Sequence, residues 1–147
     1  MFCSDSRYYR RIASIIKRKY RSDVHRGGPV TFTEFVRHII DPRTRRPFDR
    51  HWQPFYQLCQ PCRIRYDFIG HYETLIADSR YVLGRLGIRD DQFPQPGISY
   101  NSSGRVVEMF SQLTKSEIAR LVEVYRLDFA LFGYSTNISQ YLGTRIT

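Results

Sequence analysis

The most reactive-looking residues of the chain are His51 and Trp52, which directly follow Asp49 and Arg50. An imidazole titrates near neutral pH and can take a proton from a hydroxyl group, so His51 is a candidate catalytic general base. A histidine within an aromatic cluster is also often structural. The residue types alone leave both interpretations open.

A second candidate is the pair Cys59-Gln60-Pro61-Cys62, whose spacing suits a disulfide, a zinc site or a redox pair. Zinc needs four ligands and only His51 and His71 lie nearby, so we predict no metal site. A redox pair typically opens a helix after a strand, whereas this pair precedes the predicted strand. We favour a local disulfide between Cys59 and Cys62, or two buried thiols.

Asparagines in N-x-S tripeptides offer a third kind of site. Both Asn101 and Asn137 begin such a tripeptide and are candidate glycosylation sites, which would suit a lumenal or secreted protein. The glycine-rich phosphate loops, the G-x-S-x-G nucleophile motif and the H-E-x-x-H zinc motif do not occur in the sequence.

The positive charge is concentrated in the first part of the chain. The 147 residues carry 23 Lys+Arg and 14 Asp+Glu, a formal net charge of +9. Residues 1–65 hold 15 Lys/Arg and 5 Asp/Glu, whereas residues 66–147 hold 8 and 9. A basic surface confined to one part predicts an anionic partner, namely nucleic acid, an acidic membrane surface or a charged polysaccharide.

Composition and length predict one packed segment. Hydrophobic residues make up 41% and aromatic residues 15% of the chain, which argues against disorder over most of it. A length of 147 residues suits one domain or a piece of a larger one. No stretch approaches the roughly 18 consecutive apolar residues of a membrane span.

The elements that must position these residues are mostly helices. Apolar residues recur at helical spacing, and S/T-x-x-E capping boxes at Thr31 and Thr114 open two of the predicted helices. The predicted helices cover residues 6–21, 32–40, 72–86, a short stretch from Arg105, and 115–132. Residues 89–104, rich in glycine, proline and serine, are predicted to form a loop.

One strand is predicted within this helical pattern. Apolar Ile64, Tyr66 and Phe68 alternate with polar neighbours, which favours a strand near residues 64–69 and an α/β fold class. One strand cannot form a sheet. Either the domain is helical with a stray strand, or the partner strands lie outside these residues.

Several segments together resemble the Golgi carbohydrate sulfotransferases, the group that sulfates N-acetylgalactosamine of chondroitin and dermatan or terminal glucuronic acid of glycoproteins. The order and spacing of the segments agree across about 100 residues. The similar segments are Phe32-Thr33-Glu34-Phe35-Val36, Asp41-Pro42, Pro47-Phe48, His51-Trp52, 56–62, 64–75 and 124–135.

The resemblance implies transfer of a sulfuryl group from 3′-phosphoadenosine 5′-phosphosulfate to a sugar hydroxyl, with no metal. It also implies that residues 1–147 form a single segment, the C-terminal and mostly helical part of a P-loop-kinase-like fold. The family's two donor-binding segments and its membrane anchor are not found in this sequence. We expect them upstream in a full-length protein on the lumenal side of the Golgi membrane, and we expect no turnover from this chain alone.

The resemblance further suggests which residues face the two substrates. The acceptor would be a sulfated or uronic-acid glycan, bound by Arg43, Arg45, Arg46, Arg50, Arg63 and Arg65. By position alone, Ser102, Ser103 and Arg105 would contact the donor. Two other hypotheses are a non-catalytic protein that binds anionic glycans and a nucleic-acid binder that uses the basic helix at residues 6–21. We predict a glycan partner and no nucleic acid.

Overall fold

The computed structural model describes residues 7–22, 27–44, 48–89 and 102–138, and the regular structure within these ranges is helical. A short 3-10 turn, Tyr72–Thr74, leads into the fourth α-helix. In chain order the α-helices of the described ranges are α1 (Arg7–Tyr20), α2 (Phe32–Ile40), α3 (Phe55–Cys59), α4 (Leu75–Arg85), α5 (Ser102–Phe110), α6 (Lys115–Val124) and α7 (Arg126–Leu131).

Both predicted capping boxes are confirmed. The Thr31 hydroxyl accepts the backbone N–H of Glu34 at 3.2 Å, and the Glu34 carboxylate accepts the backbone N–H of Thr31 at 2.8 Å. Thr114 and Glu117 repeat the same two bonds at 3.2 and 2.8 Å. Each box satisfies donors that the first turn of a helix leaves open, so the starts of α2 and α6 are determined locally.

The core lies where α2 meets α6. Val36 and Ile40 of α2 are buried against Leu113, the residue just before the second capping box. On its other side α2 packs against α1, whose Ile16 is 1% exposed. Partly buried apolar side chains complete this core, namely Phe32, Phe110, Ile118, Leu121 and Val124.

The predicted strand at residues 64–69 is wrong for the part of the chain that the structure describes. The backbone N–H groups of Arg63 and Ile64 both bond to the carbonyl of Gln60, at 2.9 and 3.0 Å, which makes a turn at this point. Ile64, Tyr66, Phe68 and Ile69 are all 40–48% exposed, so the alternation does not separate a buried face from an exposed one. A strand needs a neighbouring strand for its backbone groups, and the described residues supply none here.

Two helix boundaries also differ from the predictions. The last long helix is interrupted at Tyr125, whose φ of −105° and ψ of 15° separate α6 from α7. The helix predicted from Arg105 begins earlier, at Ser102, and thereby takes up the end of the predicted loop. The rest of that loop, residues 90–101, lies outside the described residues.

The predicted ends at residues 40, 86 and 132 are confirmed to within one residue. Gly87 and Gly133 follow α4 and α7 with φ values of 68° and 70°. This left-handed conformation is strained for residues that carry a Cβ atom, so glycine suits both positions. α2 ends at Ile40, because Asp41 precedes Pro42 and takes an extended conformation.

Candidate functional site

His51 lies at an exposed corner between α2 and α3, paired with a carboxylate two residues before it. Oδ1 of Asp49 accepts the backbone N–H of His51 at 3.0 Å and also contacts Nδ1 of the His51 ring. An ionised carboxylate can only accept, so Nδ1 carries the hydrogen and the lone pair of the neutral ring lies on Nε2. An imidazole oriented by a carboxylate in this way is suited to act as a general base.

The corner is held from the α2 side by aromatic packing. The rings of Trp52 and Phe35 meet edge to face, with centroids 5.4 Å apart. Phe48 and Pro54, near the two ends of the corner, are buried. The Trp52 indole nitrogen is buried and has no hydrogen-bond partner among the described residues. Trp52 therefore orients the corner chiefly by packing, while the neighbouring His51 stays exposed.

A second set of contacts holds the corner from the α6–α7 side. The hydroxyl of Tyr125 donates to the carbonyl of Trp52 at 2.6 Å. The carboxylate of Asp128 accepts the backbone N–H groups of Phe55 and Tyr56 at 2.7 and 2.8 Å. Asp128 is 8% exposed, so this is a buried carboxylate that binds open donors of the first turn of α3. The break between α6 and α7 thus lies at Tyr125, one of the two residues that anchor the corner.

Asp128 is not among the site residues predicted from the sequence, although the sequence carries a signal for it. Leu121, Tyr125, Asp128 and Phe132 share one helical stripe, and Asp128 is the acid on an otherwise apolar or aromatic face. An acid at such a position needs a buried donor partner, which here comes from a segment 72 and 73 residues away in sequence.

Asp41, which follows α2, forms ion pairs with two basic side chains. Its Oδ2 lies 2.5 Å from Nζ of Lys19 and 3.1 Å from Nη2 of Arg43. Its Oδ1 accepts the backbone N–H of Arg43 at 2.8 Å. The hydrogen bonds from Arg43 and then from Lys19 hold the pKa of the Asp41 carboxyl well below its ordinary value. This group fixes the start of the arginine-rich segment against the end of α1.

A separate ion pair fixes the other connection between α1 and α2. Arg21 bonds to both carboxylate oxygens of Glu34, with Nε–Oε1 at 2.5 Å and Nη2–Oε2 at 2.6 Å. The same guanidinium donates to the carbonyl of Pro29 at 2.7 Å. The Arg21 hydrogen bond is the main cause that lowers the pKa of Glu34 to about 2. Glu34 therefore serves both the capping box and the contact with α1.

The predicted acceptor-binding arginines are only partly gathered. Arg50 is exposed beside His51, and the Arg43 side chain is 83% exposed although it pairs with Asp41. Arg63 and Arg65 are exposed on the irregular segment after α3, and no described contact brings them to Arg43. Arg45 and Arg46 lie outside the described residues.

The predicted donor contacts stay predictions. Ser102 and Ser103 begin α5, and their side chains are not described. Arg105 is exposed on the same helix, and no described contact links it to the His51 corner.

The remaining predicted sites concern modification. Cys59 is half-buried and Cys62 is exposed, and both are free thiols, so neither the disulfide nor a pair of buried thiols is seen. The disulfide stays a prediction for an oxidising compartment. Asn137 is exposed, as a glycosylation site must be, whereas Asn101 lies outside the described residues. Neither asparagine is tested as a glycosylation site.

The described residues hold neither a metal-ligand cluster nor a helix that could cross a membrane. They contain no group of three or more His, Cys, Asp or Glu side chains arranged to hold a metal ion. They also contain no helix with the length and apolar character needed to span a bilayer.

Comparison with known proteins identifies close relatives. The chain is 39% identical over 137 residues to carbohydrate sulfotransferase 11 of Rattus norvegicus, which covers 87% of this chain and 39% of that protein. It is 40% identical over 138 residues to carbohydrate sulfotransferase 10 of Xenopus laevis, covering 86% of this chain and 39% of that protein. With carbohydrate sulfotransferase 14 of Danio rerio the identity is 38% over 135 residues, 86% of this chain and 36% of that protein.

The chain thus spans somewhat more than a third of the length of these curated relatives. No solved structure matches it significantly. The sequence profile described as the sulfotransferase family matches residues 2–135. This match covers most of the chain and agrees with the identity to three carbohydrate sulfotransferases, so the resemblance is confirmed: the chain belongs to the sulfotransferase family.

Proposed function

We propose that this chain is the acceptor-side part of a carbohydrate sulfotransferase. The enzyme would transfer a sulfuryl group from 3′-phosphoadenosine 5′-phosphosulfate to a hydroxyl of a glycosaminoglycan or glycoprotein glycan. Membership of the sulfotransferase family and the names of the carbohydrate sulfotransferases that it resembles support this proposal. The observation that carries it is the pairing of His51 with Asp49 at an exposed corner that also bears Arg50.

In this proposal His51 acts as the general base. Nε2 of His51 takes the proton of the sugar hydroxyl. At the same time the hydroxyl oxygen bonds to sulfur, and the bond between sulfur and the phosphate oxygen of the donor breaks. Asp49 keeps the hydrogen on Nδ1 and stabilises the imidazolium that forms. Arg50 and the outward-facing Arg43 would bind carboxylate or sulfate groups of the glycan, because a guanidinium can donate two parallel hydrogen bonds to two oxygens of either group.

The start of α5 is the part of the chain that fits the donor. Ser102 begins this helix, and the first N–H groups of a helix favour phosphate groups. The exposed Arg105 adds a positive charge one turn further on. Ser102, Ser103 and Arg105 would therefore hold phosphate oxygens of the donor. The remaining donor contacts would come from segments upstream of this chain, together with a parallel sheet of the P-loop-kinase type.

We place the full-length enzyme on the lumenal side of the Golgi membrane, held by an anchor outside these residues. The exposed Asn137 sequon is compatible with a lumenal protein. Reading the transcript upstream of Met1 tests whether donor-binding segments precede this chain. An in-frame donor-binding segment of the Arg-[Asp/Glu]-Pro-Phe-Glu-Arg type is expected there. A start codon at Met1 preceded by stop codons in every frame would contradict it and favour a non-catalytic glycan-binding protein.

The catalytic proposal is tested by replacing His51 in the product of the complete coding sequence. Sulfate transfer to unsulfated chondroitin is measured for the wild type, for His51→Gln and for His71→Gln. We expect His51→Gln to lower kcat by about 100- to 10,000-fold, the usual contribution of a general base, with glycan affinity unchanged. His71 is the matched control, because its Nε2 contacts the carbonyl of Phe132 and lies in a structural contact.

The outcomes separate the hypotheses. A His51→Gln enzyme with full activity would show that His51 is structural. Glycan binding without any sulfate transfer by the wild-type product would support the non-catalytic alternative. Sulfate transfer by residues 1–147 alone would show that the donor site is complete within this chain.

A further inference from the structure

The outer face of α1 is strongly basic. Six of the 14 residues of α1 are arginine or lysine, and none is acidic. Arg10, Arg11 and Arg18 are exposed, whereas Ile16 on the opposite face is 1% exposed. Residues 11 and 18 are two turns apart, so their side chains point the same way at about 10 Å spacing along the axis. The exposed face therefore carries a row of guanidinium groups.

This row is unfavourable for the helix by itself. The N-terminal end of a helix carries a partial positive charge, and cations in its first turns destabilise it. Arg7, Arg10 and Arg11 occupy these turns, and no acidic residue lies there. A bound polyanion would neutralise both the arginines and the helix dipole, so the arrangement favours a binding surface over a purely structural helix.

The row does not end with α1. Lys19, next to Arg18, shares Oδ2 of Asp41 with Arg43, at 2.5 and 3.1 Å. Nζ of Lys19 and Nη2 of Arg43 are therefore less than about 5.6 Å apart, the sum of these two distances. One carboxylate faces two cations, which leaves an excess of positive charge at this junction. The basic face of α1 is thus continuous with Arg43.

From this junction the distance to the His51 corner is short. Asp41 follows α2, while Trp52, next to His51, packs on Phe35 near the start of α2. Residues 35 and 41 lie about 9 Å apart along the helix axis at 1.5 Å per residue. A polymer of several sugars could span α1, the Asp41 junction and the His51 corner, whereas a single terminal sugar could not.

We propose that the exposed face of α1 and Arg43 form one surface that binds further sugars of a long anionic glycan while one of its sugars lies at His51. This inference rests on the proposed function and specifies its acceptor as a polymer with repeated negative charges. Continuity with the His51 corner favours a glycan over a nucleic acid or a membrane as the partner.

The test measures binding of unsulfated chondroitin polymer and of a chondroitin tetrasaccharide to the chain at low salt. The variant is Arg10→Gln/Arg11→Gln/Arg18→Gln, which keeps good helix formers. The matched control, Arg80→Gln/Arg85→Gln/Arg89→Gln, removes the same charge from exposed positions on or just after α4. Each exposed ion pair contributes little by itself, so we expect the loss of three charges to weaken binding of the polymer about tenfold. The α1 variant should bind the tetrasaccharide about as tightly as wild type does, and the α4 control should bind the polymer about as tightly as wild type does.

Each contrary result has its own meaning. Equal polymer affinity of the α1 variant and the α4 control would overturn the inference and leave the proposed function intact. Failure of the wild-type chain to bind either glycan would count against the proposed acceptor site itself. Duplex DNA or phosphatidylserine vesicles that bind as tightly, with the same loss in the α1 variant, would assign the surface to nucleic acid or membrane and overturn the glycan assignment.

Discussion

Removing the carboxylate of Asp128 should weaken the attachment of α3 and the His51 corner to α7. The carboxylate accepts two backbone N–H groups, those of Phe55 and Tyr56, at 2.7 and 2.8 Å, and it is 8% exposed. Hydrogen bonds to a charged group contribute about 1.5–3 kcal/mol each to stability. We therefore expect Asp128→Ala to lower the free energy of unfolding by about 3–5 kcal/mol, a large share of the roughly 5–15 kcal/mol of a typical domain.

Asp128→Asn separates the role of charge from that of shape. The amide oxygen can still accept one N–H group, but the amide NH2 then faces the second donor. We expect a loss of about 2–3 kcal/mol, between wild type and the alanine variant. The matched control is Asp67→Asn, which removes the same charge at an exposed position and should change stability by less than about 0.5 kcal/mol.

The assay is urea unfolding at neutral pH, followed by far-ultraviolet circular dichroism, with the slope m compared between variants. A lower midpoint with an unchanged slope is expected for Asp128→Asn. An Asp128→Asn protein as stable as Asp67→Asn would refute the reasoning, because it would mean that the two N–H groups of α3 are satisfied without the carboxylate.

Two further predictions concern acid stability and self-association. Because the folded-state pKa of Glu34 is about 2 and its ordinary value is 4.5, its contribution to stability is present above pH 4.5 and is lost as the pH falls toward 2. We would measure the free energy of urea unfolding at a series of pH values. Glu34→Gln should be less stable than wild type at pH 7, and the two free energies should converge near pH 2. A difference that stays constant with pH would contradict this role of Glu34. The exposed side chains of Ile64, Tyr66, Phe68 and Ile69 add apolar surface that should make the chain self-associate. Sedimentation velocity should show concentration-dependent association that Ile64→Ser/Phe68→Ser reduces, and a monomer at all concentrations would argue against it.

The sequence alone predicts the elements that depend on neighbouring residues. The capping boxes at Thr31 and Thr114 are confirmed because each joins groups three residues apart. α1 and α2 follow from apolar periodicity, and the glycines after α4 and α7 suit the left-handed backbone at which these two helices end. The resemblance to carbohydrate sulfotransferases likewise follows from the order and spacing of short sequence segments.

The tertiary structure decided whatever depends on distant partners. Alternation at residues 64–69 predicts a strand, yet a strand forms only where another strand meets its backbone groups, and here Gln60 closes a turn instead. The pairing of Asp128 with α3 crosses more than 70 residues, and Lys19 meets Asp41 through helix packing. Local spacing predicts where the capped helices α2 and α6 begin. The packing of the helices determines which distant groups meet, because Lys19 and Asp41, or Asp128 and the start of α3, are far apart in the sequence.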